Sequence, residues 1–297
     1  MDMTQFTYGI IHQVVEDNRI IALQYRKRIT YYYFPRGMFA SFTDYFRCGI
    51  YLFIRVQMKS RLYRGRRVFN VIHIEKIMDS GRRYPHVFYD ISKIKSGIIG
   101  VINTKKPRLF IDFEMSMPPY RHYEDFISEI IQAGMILTDS EGNIIEQHAM
   151  YIRPEIFPKL TDRTSKFLHI TQADLDQGIS YLEFYTLLRR LHQEYQPMVI
   201  VWGRNDTLEL SKLNRLHRLR DLTKKMQFID LLKLHKTYYG LKNDLGLFHA
   251  HCLYSGEELL DQRHDAFQDA DTTRKVFHWF KETANSERVV TIGDHDA

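Results

Sequence analysis

RLFIDFEMS, residues 108–116, is an apolar run interrupted by two acids. Leu109, Ile111 and Phe113 alternate with Phe110, Asp112 and Glu114. A strand points successive side chains to opposite faces, so this alternation places Asp112 and Glu114 on one face, one pleat apart. Two carboxylates that close repel each other and resist leaving water. A divalent cation relieves both problems, and oxygen ligands suit magnesium or manganese. The other reading is an edge strand with a solvated acidic face. The rest of the chain has to choose between them.

The chain has 297 residues, room for two domains or one large one. It holds 19 Tyr and 19 Phe, enough aromatic mass for packed cores. No apolar run approaches the roughly 20 residues needed to cross a bilayer, so no membrane association is expected. The opening MDMTQFTYG lacks a basic-then-apolar signal pattern. Cys48 and Cys252 are too few for a disulfide framework and suit a reducing compartment, so a cytoplasmic protein is expected. Charge is uneven. Residues 1–107 hold 19 Lys+Arg against 7 Asp+Glu, and the remainder holds 23 against 29. A basic first third fits a polyanion, and an acidic remainder concentrates carboxylates.

Residues 1–107 read as mostly β. FTYGIIHQVV, RIIALQY, RITYYYF, GIYLFIRVQM and RVFNVIHIEKI are rich in Val, Ile, Tyr and Phe. Turn-like stretches at 16–18, 35–37 and 63–65 separate them. About five short strands over this length suggest a small closed barrel, because closure removes exposed edges. An OB-like or cold-shock-like barrel fits, and an SH3-like one fits nearly as well. A short helix is expected near Val87–Lys95. Arg26-Lys27-Arg28 precedes Tyr31-Tyr32-Tyr33, and Arg61, Arg64, Arg66 and Arg67 surround Tyr63. Basic grooves with aromatic platforms bind single-stranded nucleic acid, although most rings in so small a barrel belong to its core. Residues 103–107 read as a polar linker.

After the acidic strand, residues 125–154 read as strand, turn and strand, with the turn at 139–143. Helical periodicity follows over Leu160–Leu168 and Thr171–Leu191, with Leu182, Tyr185, Leu188 and Leu191 as the apolar stripe. Met198–Trp202 is a short buried strand of parallel-sheet character, and Asp206 lies just past its end. Taken alone, Asp206 reads rather as the cap of a helix over 208–226 than as part of a site. Gln227–Asp230 is a further strand, followed by the helical LLKLHKTYYG. A last helix runs over 267–284 with Asp269 in its first turn. His249-Ala250-His251-Cys252 has no second Cys/His pair at finger spacing and reads as loop.

Asp112-x-Glu114, Asp206 and His264-x-x-x-x-Asp269 together resemble the DEDDh 3′→5′ exonucleases of the ribonuclease-H-like fold, over residues 108–284. Ile111-Asp112-Phe113-Glu114 is similar to the family's first motif, and Trp202-Gly203 before Asp206 is similar to the eri-1-like and KapD-like subgroup. The run from Arg153-Pro154 to Ile170-Thr171 is similar to a further family segment, with Leu168 and His169 in place of its usual Thr-Gly step. The resemblance implies an α/β exonuclease domain, a mixed sheet flanked by helices, over 108–284. Outside the resemblance, a basic OB-like barrel is expected over 1–103 and a flexible tail over 285–297. The resemblance also implies two Mg2+ or Mn2+ ions. Asp112 would bridge them, Glu114 and Asp269 would complete the first ion's shell, and Asp206 would support the second. His264 would be the general base. Expected substrate contacts are Phe113, Met115 and Leu168 beside the acids, and Arg26, Arg64 and Arg66 on the barrel.

The expected activity is 3′→5′ trimming of single-stranded nucleic acid with release of nucleoside 5′-monophosphates, RNA being favoured over DNA. Two alternatives stand beside it: a non-catalytic binding protein that keeps the fold, and a DNA-editing exonuclease. No glycine-rich phosphate loop is present, which argues against nucleoside-triphosphate hydrolysis.

Overall fold

The computed structural model describes residues 4–79, 84–121, 125–241, 243–257 and 264–286. The chain divides into two compact units, Met1–Gly97 and Ile98–Ala297.

The first unit contains β1 (Thr4–Val15), β2 (Ile20–Tyr25), β3 (Arg28–Tyr33), α1 (Arg36–Phe42), β4 (Ile50–Gln57), β5 (Arg61–Tyr63), β6 (Arg66–Asp79) and β7 (Val87–Asp90). Its sheet runs β3-β2-β1-β4-β6-β5, and β3 also pairs with β6. The hydrogen-bonded path β3-β2-β1-β4-β6 therefore returns to its start. Every neighbour contact on that path is antiparallel except the parallel one between β3 and β6. Ile11, Leu23, Leu52, Ile54, Val56, Val71, Ile74 and Ile77 form the apolar core beneath it.

Two sequence expectations fail in this unit. The turn expected at 35–37 is the entry to α1, with Pro35 as its N-cap residue. Proline's fixed φ and missing N–H cost nothing at a helix start. The helix expected near 87–95 is a strand and then a helix. Val87–Asp90 pairs with β6, and α2 (Ile91–Ile102) begins where the Asp90 carboxylate accepts the Ser92 N–H and hydroxyl.

The second unit contains β8 (Arg108–Met115), β9 (Ile130–Thr138), β10 (Ile144–Tyr151), α3 (Asp162–Leu168), α4 (Gln172–Asp176), α5 (Tyr181–Tyr195) and β11 (Met198–Val201). It continues with α6 (Asn205–Leu216), β12 (Gln227–Asp230), α7 (Leu231–Tyr239), α8 (Leu247–Ser255) and α9 (Ala266–Ala284). The sheet order is β10-β9-β8-β11-β12, with β10, β9 and β8 antiparallel and β11 and β12 parallel to β8. The acidic strand is thus the centre of a mixed sheet, not an edge.

Arg108 anchors the start of that strand. Its buried guanidinium donates to the carbonyls of Ile102, Thr104 and Ser140 and lies over the Phe277 ring. Leu109, Ile111 and Phe113 pack on one face against Phe184, Leu188 and Leu191 of α5. On the other face Phe110 meets Phe277 of α9, ring centroids 5.6 Å apart.

Several helix readings are corrected. Residues 171–191 form two helices, because the chain breaks to pair Ile179 with Ile152. The buried stripe of α5 is Tyr181, Phe184, Tyr185, Leu188 and Leu191, whereas Leu182 is 56% exposed. The reciprocal bonds between Ser180 and Glu183 fix the start of α5 and hence its phase. The helix after Asp206 ends at Leu216. His249–Cys252 lies in α8, not a loop. Asn285, expected in the tail, closes α9 and exchanges side-chain hydrogen bonds with Asn103. The rest of the expected tail, 287–297, lies outside the described residues. Among the described residues, no helix is long and apolar enough to cross a membrane.

Candidate metal centre

Asp112 and Glu114 stand on β8, Asp206 in the first turn of α6, His264 just before α9, and Asp269 in its first turn. The fold gathers them at one end of the sheet. Glu114, His264 and Asp269 each offer a ligand atom, all within 4.8 Å of one another. His264 Nδ1 lies 3.6 Å from Glu114 Oε1 and 4.0 Å from Asp269 Oδ2.

Asp206 arrives because β11 is shorter than β8. Their pairing covers only Arg108–Phe110, and the chain leaves β11 through Gly203 at φ +94, a left-handed conformation natural to glycine. The exposed edge of β8 then has N–H groups to satisfy. The Phe113 N–H donates to Asp206 Oδ1 at 3.0 Å. The N-cap reading of Asp206 is therefore wrong: Arg204 holds that position. The Asp206 carboxylate instead reaches across to the acidic strand.

Asp269 arrives because one residue of β9 has no side chain. Gly134 pairs directly with Asp112. A Cβ on Gly134 would lie 2.1 Å from the Ala266 carbonyl oxygen and 2.4 Å from Phe267 Cα. The first turn of α9 thus rests directly on the backbone of Gly134. Its neighbour Gln132, opposite Glu114, ties down the same turn. The Gln132 amide donates to Asp265 Oδ2 at 2.8 Å, and its carbonyl oxygen accepts the Ala266 N–H. Asp265 in turn caps α9 through the Gln268 N–H.

His264 is held by a ring. Phe167 of α3 stacks on its imidazole, centroids 4.4 Å apart and planes at 24°. α3 itself ends at His169 with φ +56. The residue that departs from the family's glycine step thus takes the left-handed conformation a glycine there would favour.

The electrostatics are those of a site built for positive charge. Burial, with Asp206, Asp269 and Glu114 nearby, holds the Asp112 carboxyl well above its ordinary range. Burial, followed by the charges of Asp269 and Asp206, pushes Glu114 up to about 8. Burial raises Asp206 to about 7 against the opposing pull of the Phe113 N–H. Asp269 rises to about 7 by burial and the Asp265 charge. Burial also lowers His264 despite its acid neighbours. With those acids still partly protonated near neutrality, little negative charge remains to hold an imidazolium.

Asp269 Oδ1 is buried with no hydrogen-bond partner among the described residues. An orphaned carboxylate oxygen among three further acids is a poor arrangement for a protein alone and a good one for a cation. Carboxylate oxygens with one imidazole form a hard donor set that fits divalent ions.

Other expected contacts fall elsewhere. Phe113 and Leu168 are buried, the first against Phe184 and the second with Ile131, Ile170 and Leu175. Met115 is half-buried at the end of β8, against the core. Arg26, Arg64 and Arg66 belong to the first unit. Asp230 caps α7, and Asp271 pairs with Arg274 and Lys275, so neither is a spare ligand. Sequence reasoning missed Gly134, Gln132 and Phe167. A lone glycine inside the apolar IIQAGMILT was the available signal, because it marks close backbone approach. Gln132 and Phe167 act through contacts between distant elements and left none.

A model of the RNase_T family, described as exonuclease, matches residues 109–277. The probable 3′-5′ exonuclease KapD of Bacillus subtilis (strain 168) is 34% identical over 175 residues, which are 59% of this chain and 84% of that protein. Among solved structures, the nuclease domain of 3′hExo, a DEDDh family member bound to rAMP, matches with TM-score 0.54 at 19% identity. That match covers 63% of this chain and 97% of the domain. A 3′-exonuclease solved for its 3′-end specific recognition of the histone mRNA stem-loop gives TM-score 0.51 at 18% identity, over 63% of this chain and 66% of its own. At such identities these structures speak for the fold.

Proposed function

This chain belongs to the RNase_T exonuclease family, and we propose that it is a metal-dependent 3′→5′ exonuclease that trims single-stranded nucleic acid and releases nucleoside 5′-monophosphates. The observation that carries the reading is the convergence of Asp112, Glu114, Asp206, His264 and Asp269 at one end of the sheet, with a buried Asp269 oxygen lacking a partner.

Asp112, Glu114 and Asp269 would hold one Mg2+ or Mn2+, with Asp112 shared by a second that Asp206 supports. Such a pair of ions supplies positive charge to the attacking and leaving oxygens of a phosphodiester. The chain's own residues do the rest. His264, neutral and facing Glu114 and Asp269, accepts the proton of the attacking water. Phe167 keeps the imidazole in place. Asp206 fixes the strand between the two acids through the Phe113 N–H. The four acids are too costly to ionise together alone, and bound cations would relieve that cost.

In this reading residues 1–103 form a basic OB-like barrel that holds the strand, with Arg26, Arg64 and Arg66 among its contacts. The returning strand path and the charge excess support that assignment. RNA is the favoured substrate and the cytoplasm the expected compartment. The test is incubation of 5′-labelled single-stranded RNA and DNA with the full chain in Mg2+ or Mn2+, beside Asp112→Ala. A descending ladder from the intact protein alone is expected. Absence of 3′ shortening in both metals would sink the enzyme, and equal shortening by Asp112→Ala would sink the site.

A further inference from the structure

In the first unit, β6 changes partners along its length. Its first residues lie between β3, parallel, and β5, antiparallel: Tyr31 and Arg61 both pair with Val68, Tyr33 pairs with Asn70, and Tyr63 with Arg66. Side chains of directly paired residues share a face. One face of this three-strand patch therefore carries Tyr31 and Tyr33, then Arg66 and Asn70, then Arg61 and Tyr63. The side chains interleave. The Arg61 guanidinium stands 4.7 Å from the Tyr33 ring centroid and 4.9 Å from that of Tyr63. The two rings meet edge to face at 4.9 Å. Arg66 covers Tyr31 at 4.8 Å. Arg19 lies over Tyr33 and donates to its hydroxyl at 2.9 Å. Asn70 accepts from Arg61 Nε and donates to Gln57, which ties the guanidinium to the patch.

We infer that this patch of Tyr31, Tyr33 and Tyr63 with Arg19, Arg61 and Arg66 binds single-stranded nucleic acid, its rings stacking bases and its guanidiniums holding phosphates. The inference deepens the proposed function and rests on it only for the nature of the substrate.

Among the described residues, no carboxylate pairs with Arg19, Arg61 or Arg66. The unit that carries them, residues 1–97, has 17 Lys+Arg against 7 Asp+Glu. Their charge is thus available to a polyanion. The tyrosines are half-buried. Flat rings flanked by fixed cations suit unpaired bases, whereas a duplex hides its base faces. Stacking tolerates any base, so the patch would grip without choosing sequence. In a second row of rings, Phe6, Tyr8 and Phe53, the neighbouring Arg55 is committed to Glu75. Arg26 lies over Tyr25, beside that second row, and not on the patch.

The experiment measures binding of the full chain to labelled dT12, U12 and a 12-base-pair duplex by fluorescence anisotropy, in EDTA so that nothing is cleaved. Tyr63→Ala is expected to weaken binding to both single strands about 10-fold, as for loss of a stacked base. Tyr63→Phe should keep it. Arg61→Gln should weaken it and reduce the slope of log K against log salt by about 0.7, the loss of one phosphate contact to a single strand. The duplex should bind more weakly than either strand. Unchanged affinity and slope in Tyr63→Ala and Arg61→Gln, with circular dichroism showing both folded, would overturn the inference. So would displacement of dT12 by poly-glutamate as effectively as by unlabelled dT12. Loss of cleavage with platform binding intact would count against the exonuclease reading alone. Cleavage with variant-insensitive binding would count against the platform alone.

Discussion

Replacing Glu114 by Gln should make the metal-free protein more stable while making it inactive. The Glu114 side chain is 11% exposed, and its carboxyl is pushed up to about 8 from 4.5 by burial and by Asp269 and Asp206. A folded-state value above the unfolded one means that the folded chain binds more protons, so stability falls as pH rises between the two. The contribution is intact below about 4.5 and lost progressively up to about 8. At pH 7, keeping this group costs roughly 3 kcal/mol, from about 1.4 kcal/mol per pH unit above its unfolded value. The amide still has to be buried, at about 1 kcal/mol. The net gain of about 2 kcal/mol corresponds to about 4–8 °C in Tm for a unit of this size. Differential scanning calorimetry in EDTA reads it directly. At pH 5 the advantage should vanish, because the wild-type carboxyl is then protonated at little cost. Saturating Mn2+ should raise wild-type Tm well above that of Glu114→Gln. A wild-type Tm that is flat from pH 5 to 8 in EDTA, or a variant no more stable at pH 7, would refute the claim that repulsion among these acids is held in the fold.

Other perturbations follow from particular contacts. Gly134→Ala places a methyl where the Ala266 carbonyl sits; kcat/KM should fall about 100-fold, since a 1 Å misplacement can cost that much, while circular dichroism shows a folded chain. Asp206→Asn keeps an oxygen to accept the Phe113 N–H but loses the charge, so activity should drop with Tm unchanged or raised in EDTA; Asp206→Ala loses the tether as well, and its Tm should lie below that of Asp206→Asn. Phe167→Ala uncovers the imidazole that burial holds low; the acidic limb of the pH–kcat profile should move to higher pH, and an unmoved limb would show that the stack does not tune His264.

What the sequence revealed was local or periodic. A period-two run fixed β8 and put its two acids on one face, and turn residues marked the β9–β10 hairpin. What it concealed depends on which element meets which. Tyr185, Leu188 and Leu191 of the expected α5 stripe are buried, but a spacing of three drifts against the 3.6-residue turn, so Leu182 falls outside it. The Asp206 tether exists only because β11 stops short of β8, a matter of register. Gly134 opposite Asp112, Gln132 beneath Asp265 and Phe167 over His264 join residues far apart in the chain. The Tyr–Arg patch was half legible. Arginines interleaved with tyrosines pointed to a basic aromatic surface, and only the pairing of β3, β6 and β5 brings Arg19 and Arg61 together with Arg66 beside the tyrosines.

The most direct test of the central claim is the number of metal ions that these acids hold. Mn2+ titrated into the metal-free full chain at pH 8 in the presence of AMP, followed by isothermal calorimetry, should give about two ions per chain in the wild type. Asp112→Ala should take up fewer than one under the same conditions, because in the proposed site both ions would depend on that carboxylate. An Asp112→Ala protein that binds two ions with unchanged affinity would contradict the site as drawn here.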